Sequence, residues 1–170
     1  DGYGGSIENR ARLMLEVTDA AIGVWGADRV GMHLAPRGDN HGMGDSDPAA
    51  TFGYVARELG ARRIAFLCDR EGLAEPRLGP ALKKAFGGVF IANQGFTAET
   101  AAQEIASGHA DAVAWGKLFI ANPDLPERLR TGAALNPPDA STFYVAPGGD
   151  RTRGYTDYAT PPSVLRWDAA

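Results

Sequence analysis

Two short segments of the 170-residue chain place glycine beside polar or cationic residues where an apolar run gives way to a helix signal. They are Ala92-Asn93-Gln94-Gly95 and Trp115-Gly116-Lys117. A strand that opens into a helix leaves backbone N–H groups without intrahelical partners, and the helix dipole adds partial positive charge. Both favour an anion, phosphate above all. Gly95 and Gly116 let the backbone approach a ligand closely, Gln94 and Gly95 offer N–H donors, and Lys117 adds a point charge. Two such junctions in succession, the second with a cation, have the form of a phosphate site on the last strands of a (β/α) barrel. The competing reading, two tight turns and a solvated lysine, is left open by spacing alone.

Other reactive residue types are sparse. His33 ends an apolar stretch on the same face, where a lone histidine is more commonly a hydrogen-bonded core residue than a functional one. His33, His41 and His109 show no metal-ligand spacing, and no metal site is expected. Cys68 is the only cysteine, so an intramolecular disulfide is impossible and a reducing cytoplasm is the expected compartment. It lies in an apolar run and is expected to be a small buried residue, not a nucleophile. Tyr144, Tyr155 and Tyr158 cluster near the carboxyl terminus, the latter two expected to pack back on the domain. No Ser/His/Asp or Cys/His set and no convincing carboxylate pair is present for catalysis.

The elements that must position these residues alternate. Ser6 caps a helix with Ala11, Met14, Leu15, Ile22 and Trp25 at helical spacing, stopped by Gly26. Residues 30–35 form a short strand, and Asp47-Pro48 starts a helix expected to end at Gly60. Strands are then expected at 64–68, 89–92 and 112–115, with helices at 80–86 and from Thr97 to Gly108. A last helix, capped by Asn122-Pro123-Asp124, runs to Gly132. The strands are continuously apolar, which predicts a parallel sheet buried on both faces. No G-x-G-x-x-G follows the first strand, which disfavours a dinucleotide-binding sheet. The glycines fall instead after the third and fourth strands. A closed barrel needs eight strands and typically about 250 residues, and four strands are visible. The expected class is α/β: the carboxyl-terminal half (strands 5–8) of a (β/α)8 TIM barrel. Residues 1–136 would hold four βα units and 137–170 an irregular tail packed on the barrel.

The hydrophobic fraction of 44% and charged fraction of 22% are ordinary for a soluble globular protein. A net charge of −4 argues against nucleic acid or an anionic membrane as partner. No apolar run approaches bilayer-spanning length. The first residues lack a signal-peptide pattern and an initiator methionine, so Asp1 is not expected to be the native start.

The same residues form a set. Asp1-Gly2-Tyr3-Gly4-Gly5-Ser6-Ile7-Glu8-Asn9-Arg10 resembles the D-x-Y-G-G-S-x-E-N-R segment of the old yellow enzyme family. Residues 115–125, Trp-Gly-Lys-Leu-Phe-Ile-Ala-Asn-Pro-Asp-Leu, are similar to that family's G-R-x-[FY]-I-x-N-P-D-L. Thr142-Phe143-Tyr144 and Gly154-Tyr155-Thr156-Asp157-Tyr158 resemble its carboxyl-terminal F-Y and G-Y-x-D-Y. The order is preserved across the chain, and the similarity is to the N-ethylmaleimide and glycerol trinitrate reductase branch.

The resemblance implies an eight-stranded barrel that holds FMN at the carboxyl ends of its strands. It also implies NAD(P)H as reductant and reduction of activated C=C bonds in enones, maleimides or nitro compounds. Asn93, Gln94 and Gly95 then match the loop that binds the FMN phosphate after strand seven. Gly116 and Lys117 match the Gly-Arg pair after strand eight, and Tyr144 lies near the substrate face. Two departures follow. His33 stands where the family has an arginine that stabilises reduced flavin, and supplies charge only when protonated. Lys117 keeps the charge of the family arginine but loses its fork. The substrate-binding His/His or His/Asn pair and the proton-donating tyrosine fall upstream of Asp1, so no catalytic residue is expected in this chain. The expected partner is the amino-terminal half of the barrel, as another chain or a missing piece, or a second copy, with a small molecule as substrate. Rival readings are a non-catalytic half-barrel that binds phosphate or serves assembly, and a decayed homologue.

Overall fold

A computed structural model describes residues 1–38, 43–144, 148, 150 and 152–160. His41 and residues 161–170 of the expected tail lie outside the described residues. The chain divides into two compact units, Asp1–Ala114 and Trp115–Ala170.

The first unit opens with α1 (Ile7–Trp25), whose cap Ser6 accepts a hydrogen bond from the Asn9 N–H at 3.3 Å. Gly26 stops it at φ 84° and ψ 149°, an extended positive-φ conformation open to glycine, with its N–H bonded to the Ile22 carbonyl. Then follow β1 (Gly31–Leu34), α2 (Pro48–Ala61), β2 (Phe66–Arg70), α3 (Gly79–Phe86), β3 (Phe90–Asn93), α4 (Ala98–Ala106) and β4 (Ala112–Ala114). The four strands form one sheet in the order β1-β2-β3-β4, every neighbouring pair parallel. Helices join successive strands, as in half of a (β/α)8 barrel.

Most expected boundaries shift by a residue or two, and two of the shifts have a clear cause. β2 begins and ends two residues later than the apolar run, because the ladder continues through charged residues: Asp69 pairs with Ala92 and Arg70 with Asn93. α2 passes Gly60 and ends at Ala61. Gly60 is a packing residue: a Cβ there would stand 2.2 Å from the Phe86 carbonyl oxygen, so α2 meets the end of α3 only without one.

The sheet is covered on one face, not both. Leu34, Leu67, Asp69, Phe90 and Ala92 are buried, whereas Gly31, His33 and Phe66 are exposed and Cys68, Arg70, Ile91 and Asn93 are half-buried. Strand side chains alternate faces, so the second group shares a face that no described helix of the first unit covers. That is the face a barrel turns inward. Apolar residues on both sides of each strand remain the right signature for a barrel; half the barrel leaves its lumen open. Cys68 lies on this face and is half-buried, not buried as expected. Desolvation and the neighbouring Asp69 charge push its thiol pKa upward, which leaves it a poor nucleophile.

In the second unit, α5 (Lys117–Ala121) is a five-residue helix that the sequence reading missed, and α6 is Leu125–Thr131. The expected Asn122-Asp124 cap takes a different form. Asp124 stands at the cap position without capping and instead pairs with Arg128 Nε at 2.8 Å. Asn122 is fully buried, donates from Nδ2 to the Leu118 and Asn136 carbonyls, and accepts from the Asn136 N–H at 2.7 Å. Asn136 and Arg128 both donate to the Ala159 carbonyl, which ties the carboxyl-terminal segment to these helices. The Tyr158 hydroxyl accepts from the Asp139 N–H and that of Tyr155 from the Tyr144 N–H. No helix among the described residues is long and apolar enough to cross a membrane.

Candidate functional site

The turn from β3 into α4 gathers three of the residues singled out in the sequence. Asn93, the last residue of β3, donates from its side-chain amide to the Ala114 carbonyl at 2.6 Å and stitches the end of β3 to the end of β4. The chain then passes through two consecutive left-handed residues, Gln94 at φ 87° and Gly95 at φ 84°. Glycine adopts this freely; glutamine does so at about 1 kcal/mol or more. A Cβ on Gly95 would meet Leu73 only at an ordinary 3.7 Å, so conformation, not crowding, calls for glycine. The Gly95 N–H has no hydrogen-bond partner among the described residues.

Neighbouring groups hold the turn rigid. Arg70 Nε donates to the Gln94 side-chain oxygen at 3.0 Å. Thr97 and Thr100 form a reciprocal capping box at the start of α4. This modifies the expectation of a helix end with all its donors free: the Thr97 and Thr100 N–H groups are already engaged, and the open donor lies earlier, at Gly95. Arg77 makes a bidentate pair with Glu104 of α4 at 2.8 and 2.7 Å, and its guanidinium stands 5.7 Å from the centre of the Phe96 ring. Glu71 is buried and accepts from the Leu78 and Gly79 N–H groups at 2.9 Å, which anchors the loop that delivers Arg77.

His33 is exposed on the open sheet face, at the register position of Cys68. Gly116, Lys117 and Tyr144 belong to the second unit. Gly116 has φ −90°, and its carbonyl accepts from the Phe119 and Ile120 N–H groups at 3.0 Å. An added Cβ there would meet nothing within 4 Å, so neither strain nor packing inside the chain requires glycine. Lys117 is exposed and makes no ion pair among the described residues. Tyr144 is 96% exposed with φ 64°. Among the described residues no three His, Cys, Asp or Glu side chains gather as a metal site.

Two features escaped the sequence reading. Arg70 falls outside the strand expected at 64–68, yet it lies on β2, on the same face as Phe66 and Cys68; its spacing of two from Cys68 is the available signal. The Glu71–Arg77–Glu104 support joins residues far apart in sequence, and no local pattern announces it.

The profile of the NADH:flavin oxidoreductase / NADH oxidase family matches residues 1–136. 12-oxophytodienoate reductase 1 of Oryza sativa subsp. japonica is 42% identical over 169 residues, covering 93% of this chain and 43% of that protein. Morphinone reductase in complex with tetrahydroNAD superposes with a TM-score of 0.87 at 44% identity, over 98% of this chain and 45% of its own. An old yellow enzyme homologue from Zymomonas mobilis gives 0.88 at 38% identity, over 95% of this chain and 46% of its own. The chain thus spans less than half the length of these relatives, and its four βα units are half of their TIM barrel. With this open half-barrel and its left-handed β3–α4 turn, the chain belongs to the NADH:flavin oxidoreductase / NADH oxidase family, as a member of its old yellow enzyme group.

Proposed function

We propose that the chain is the FMN-binding carboxyl-terminal half of an NAD(P)H-dependent ene-reductase. The observation that supports this most is the β3–α4 turn, where Gln94 and Gly95 hold consecutive left-handed conformations and the Gly95 N–H is open. Such a donor set suits the phosphate of FMN, the cofactor of the family. When bound, FMN supplies hydride transfer between NAD(P)H and the activated C=C bond of an enone, maleimide or nitro compound.

The chain's own residues act by binding and orientation. Asn93 fixes the end of β3, and Gln94 and Gly95 present the turn to phosphate; the resemblance assigns Gly116 and Lys117, in the second unit, to cofactor binding as well. His33 faces the open side of the sheet and takes the place of the family arginine, without its guanidinium fork. The resemblance makes Tyr144, in the second unit, a substrate-side residue. The group that protonates substrate, and the rest of the flavin pocket, come from the other half of the barrel.

Titration of the purified chain with FMN, followed by flavin fluorescence and the visible flavin band, tests the reading. Uptake of FMN is expected. Gly95→Ala forces an alanine into a left-handed conformation that costs about 1–2 kcal/mol, and should weaken FMN binding. A chain that takes up no FMN would favour the non-catalytic half-barrel instead.

A further inference from the structure

The flavin-binding reading leaves one cation near the turn without an assigned task. Arg70 is the last residue of β2 and pairs in register with Asn93, the last of β3. Its side chain emerges on the open face, half-buried, at the carboxyl-terminal edge of the sheet. One guanidinium donor, Nε, is used: it holds the Gln94 side-chain oxygen at 3.0 Å. The two Nη groups make no hydrogen bond or ion pair among the described residues. An arginine that spends one donor on fixing its own direction keeps a planar pair of donors for a ligand.

Arg70 therefore differs from a loose surface arginine in three ways. It is rooted in a strand instead of a loop. It is tethered to a residue that is itself held at φ 87°. Its neighbours on the open face, Cys68, Ile91 and Asn93, include no carboxylate that would neutralise it. Asp69 and Glu71 point to the opposite, helix-covered side, where both are buried. The uncompensated positive charge and the open Gly95 N–H thus converge on one turn.

We propose that Arg70 is a phosphate-binding residue of this site: its Nη groups ligate the cofactor phosphate while its Nε–Gln94 bond sets the shape of the β3–α4 turn. The inference rests on the flavin reading and assigns a side-chain charge to β2 within the first unit. It makes the site a composite of a backbone donor and a side-chain fork. It also gives Gln94 a reason to tolerate a left-handed backbone, since the tether to Arg70 offsets the strain.

FMN and riboflavin differ only in the phosphate, so a paired titration decides. The chain and its Arg70→Gln, Arg70→Lys and Gln94→Ala variants are titrated with both flavins at low and high salt, with thermal melts as a check on folding. Loss of a charge-assisted contact predicts FMN affinity lower by about tenfold or more in Arg70→Gln, with riboflavin affinity unchanged. Arg70→Lys should recover part of the loss, Gln94→Ala should show an intermediate one, and the salt dependence of FMN binding should shrink in Arg70→Gln. Equal losses for FMN and riboflavin, or no loss, would overturn the assignment while leaving the flavin reading intact. Equal wild-type affinity for the two flavins would overturn it as well. Failure of the wild-type chain to bind either flavin would remove both readings together.

Discussion

Asp69 is buried on the helix-covered face of β2, and its Oδ1 has no hydrogen-bond partner among the described residues. Desolvation, then the nearby Glu71 charge, push its pKa up from 3.8 to about 7, with Arg77 pulling the other way. Folded Asp69 keeps its proton up to about pH 7, whereas the unfolded residue releases it near 3.8. Between those values the folded state binds the extra proton. Its contribution to stability is therefore complete below the lower value and is lost as pH rises through the upper, at up to about 1.4 kcal/mol per pH unit. Asp69→Asn removes the titration, so urea midpoints of the variant should be flatter between pH 4 and 7 and higher than wild type at pH 8. A wild-type midpoint that rises with pH across that window would refute the assignment. The charge also bears on the site, because Glu71 and Arg77 brace the turn that follows β3.

At the level of elements, α2 is set against the end of α3 by a close backbone approach. Gly60 leaves no room for a Cβ beside the Phe86 carbonyl. Gly60→Ala should destabilise the chain by about 1–3 kcal/mol through forced separation of the two helices, lowering its melting temperature. Gly44→Ala, where an added Cβ meets nothing within 4 Å, should leave it unchanged. Read from sequence alone, Gly60 is a helix stop, because Gly after an apolar helical stripe ordinarily means one. The caps at Ser6, Asp47 and Thr97 were legible, since each is a local pattern whose side-chain bond spans three residues. The Asn93-Gln94-Gly95 turn was legible from glycine at the end of an apolar run, although the bonds that hold it reach Ala114 and Arg70. β2 was misplaced because pairing with β3, not its own hydropathy, extends it through Asp69 and Arg70. α5 went unseen because its cap, Gly116, makes no side-chain bond. Arg70's tether to Gln94 spans 24 residues, and only the sheet register brings the two together.

For the molecule as a whole, the folded chain leaves apolar surface that its own elements do not cover. Leu13, Val17 and Val24 are 61%, 60% and 74% exposed on α1. Spacings of four and seven place them on one stripe, opposite the side that buries Ala11, Leu15 and Thr18. The stripe is about 16 Å long at 1.5 Å per residue. The sheet adds the exposed Phe66 on its open face and unpaired edges at β1 and β4. These edges are only four and three residues long and offer few backbone hydrogen bonds. Apolar burial along α1 and the open face, at roughly 25 cal/mol per Å2, is the stronger drive. The 170-residue chain alone should therefore associate, and sedimentation velocity should show species above monomer that grow with concentration. A Leu13→Lys/Val17→Lys double variant should shift the distribution toward monomer without changing the far-ultraviolet circular dichroism. Under the proposed reading FMN uptake should also survive that change, because the β3–α4 turn and the α1 stripe lie on different elements. A chain that sediments as monomer at every concentration would show that its uncovered apolar surface is too dispersed to drive pairing. The sheet edges, not α1, would then be the surface left to drive any pairing.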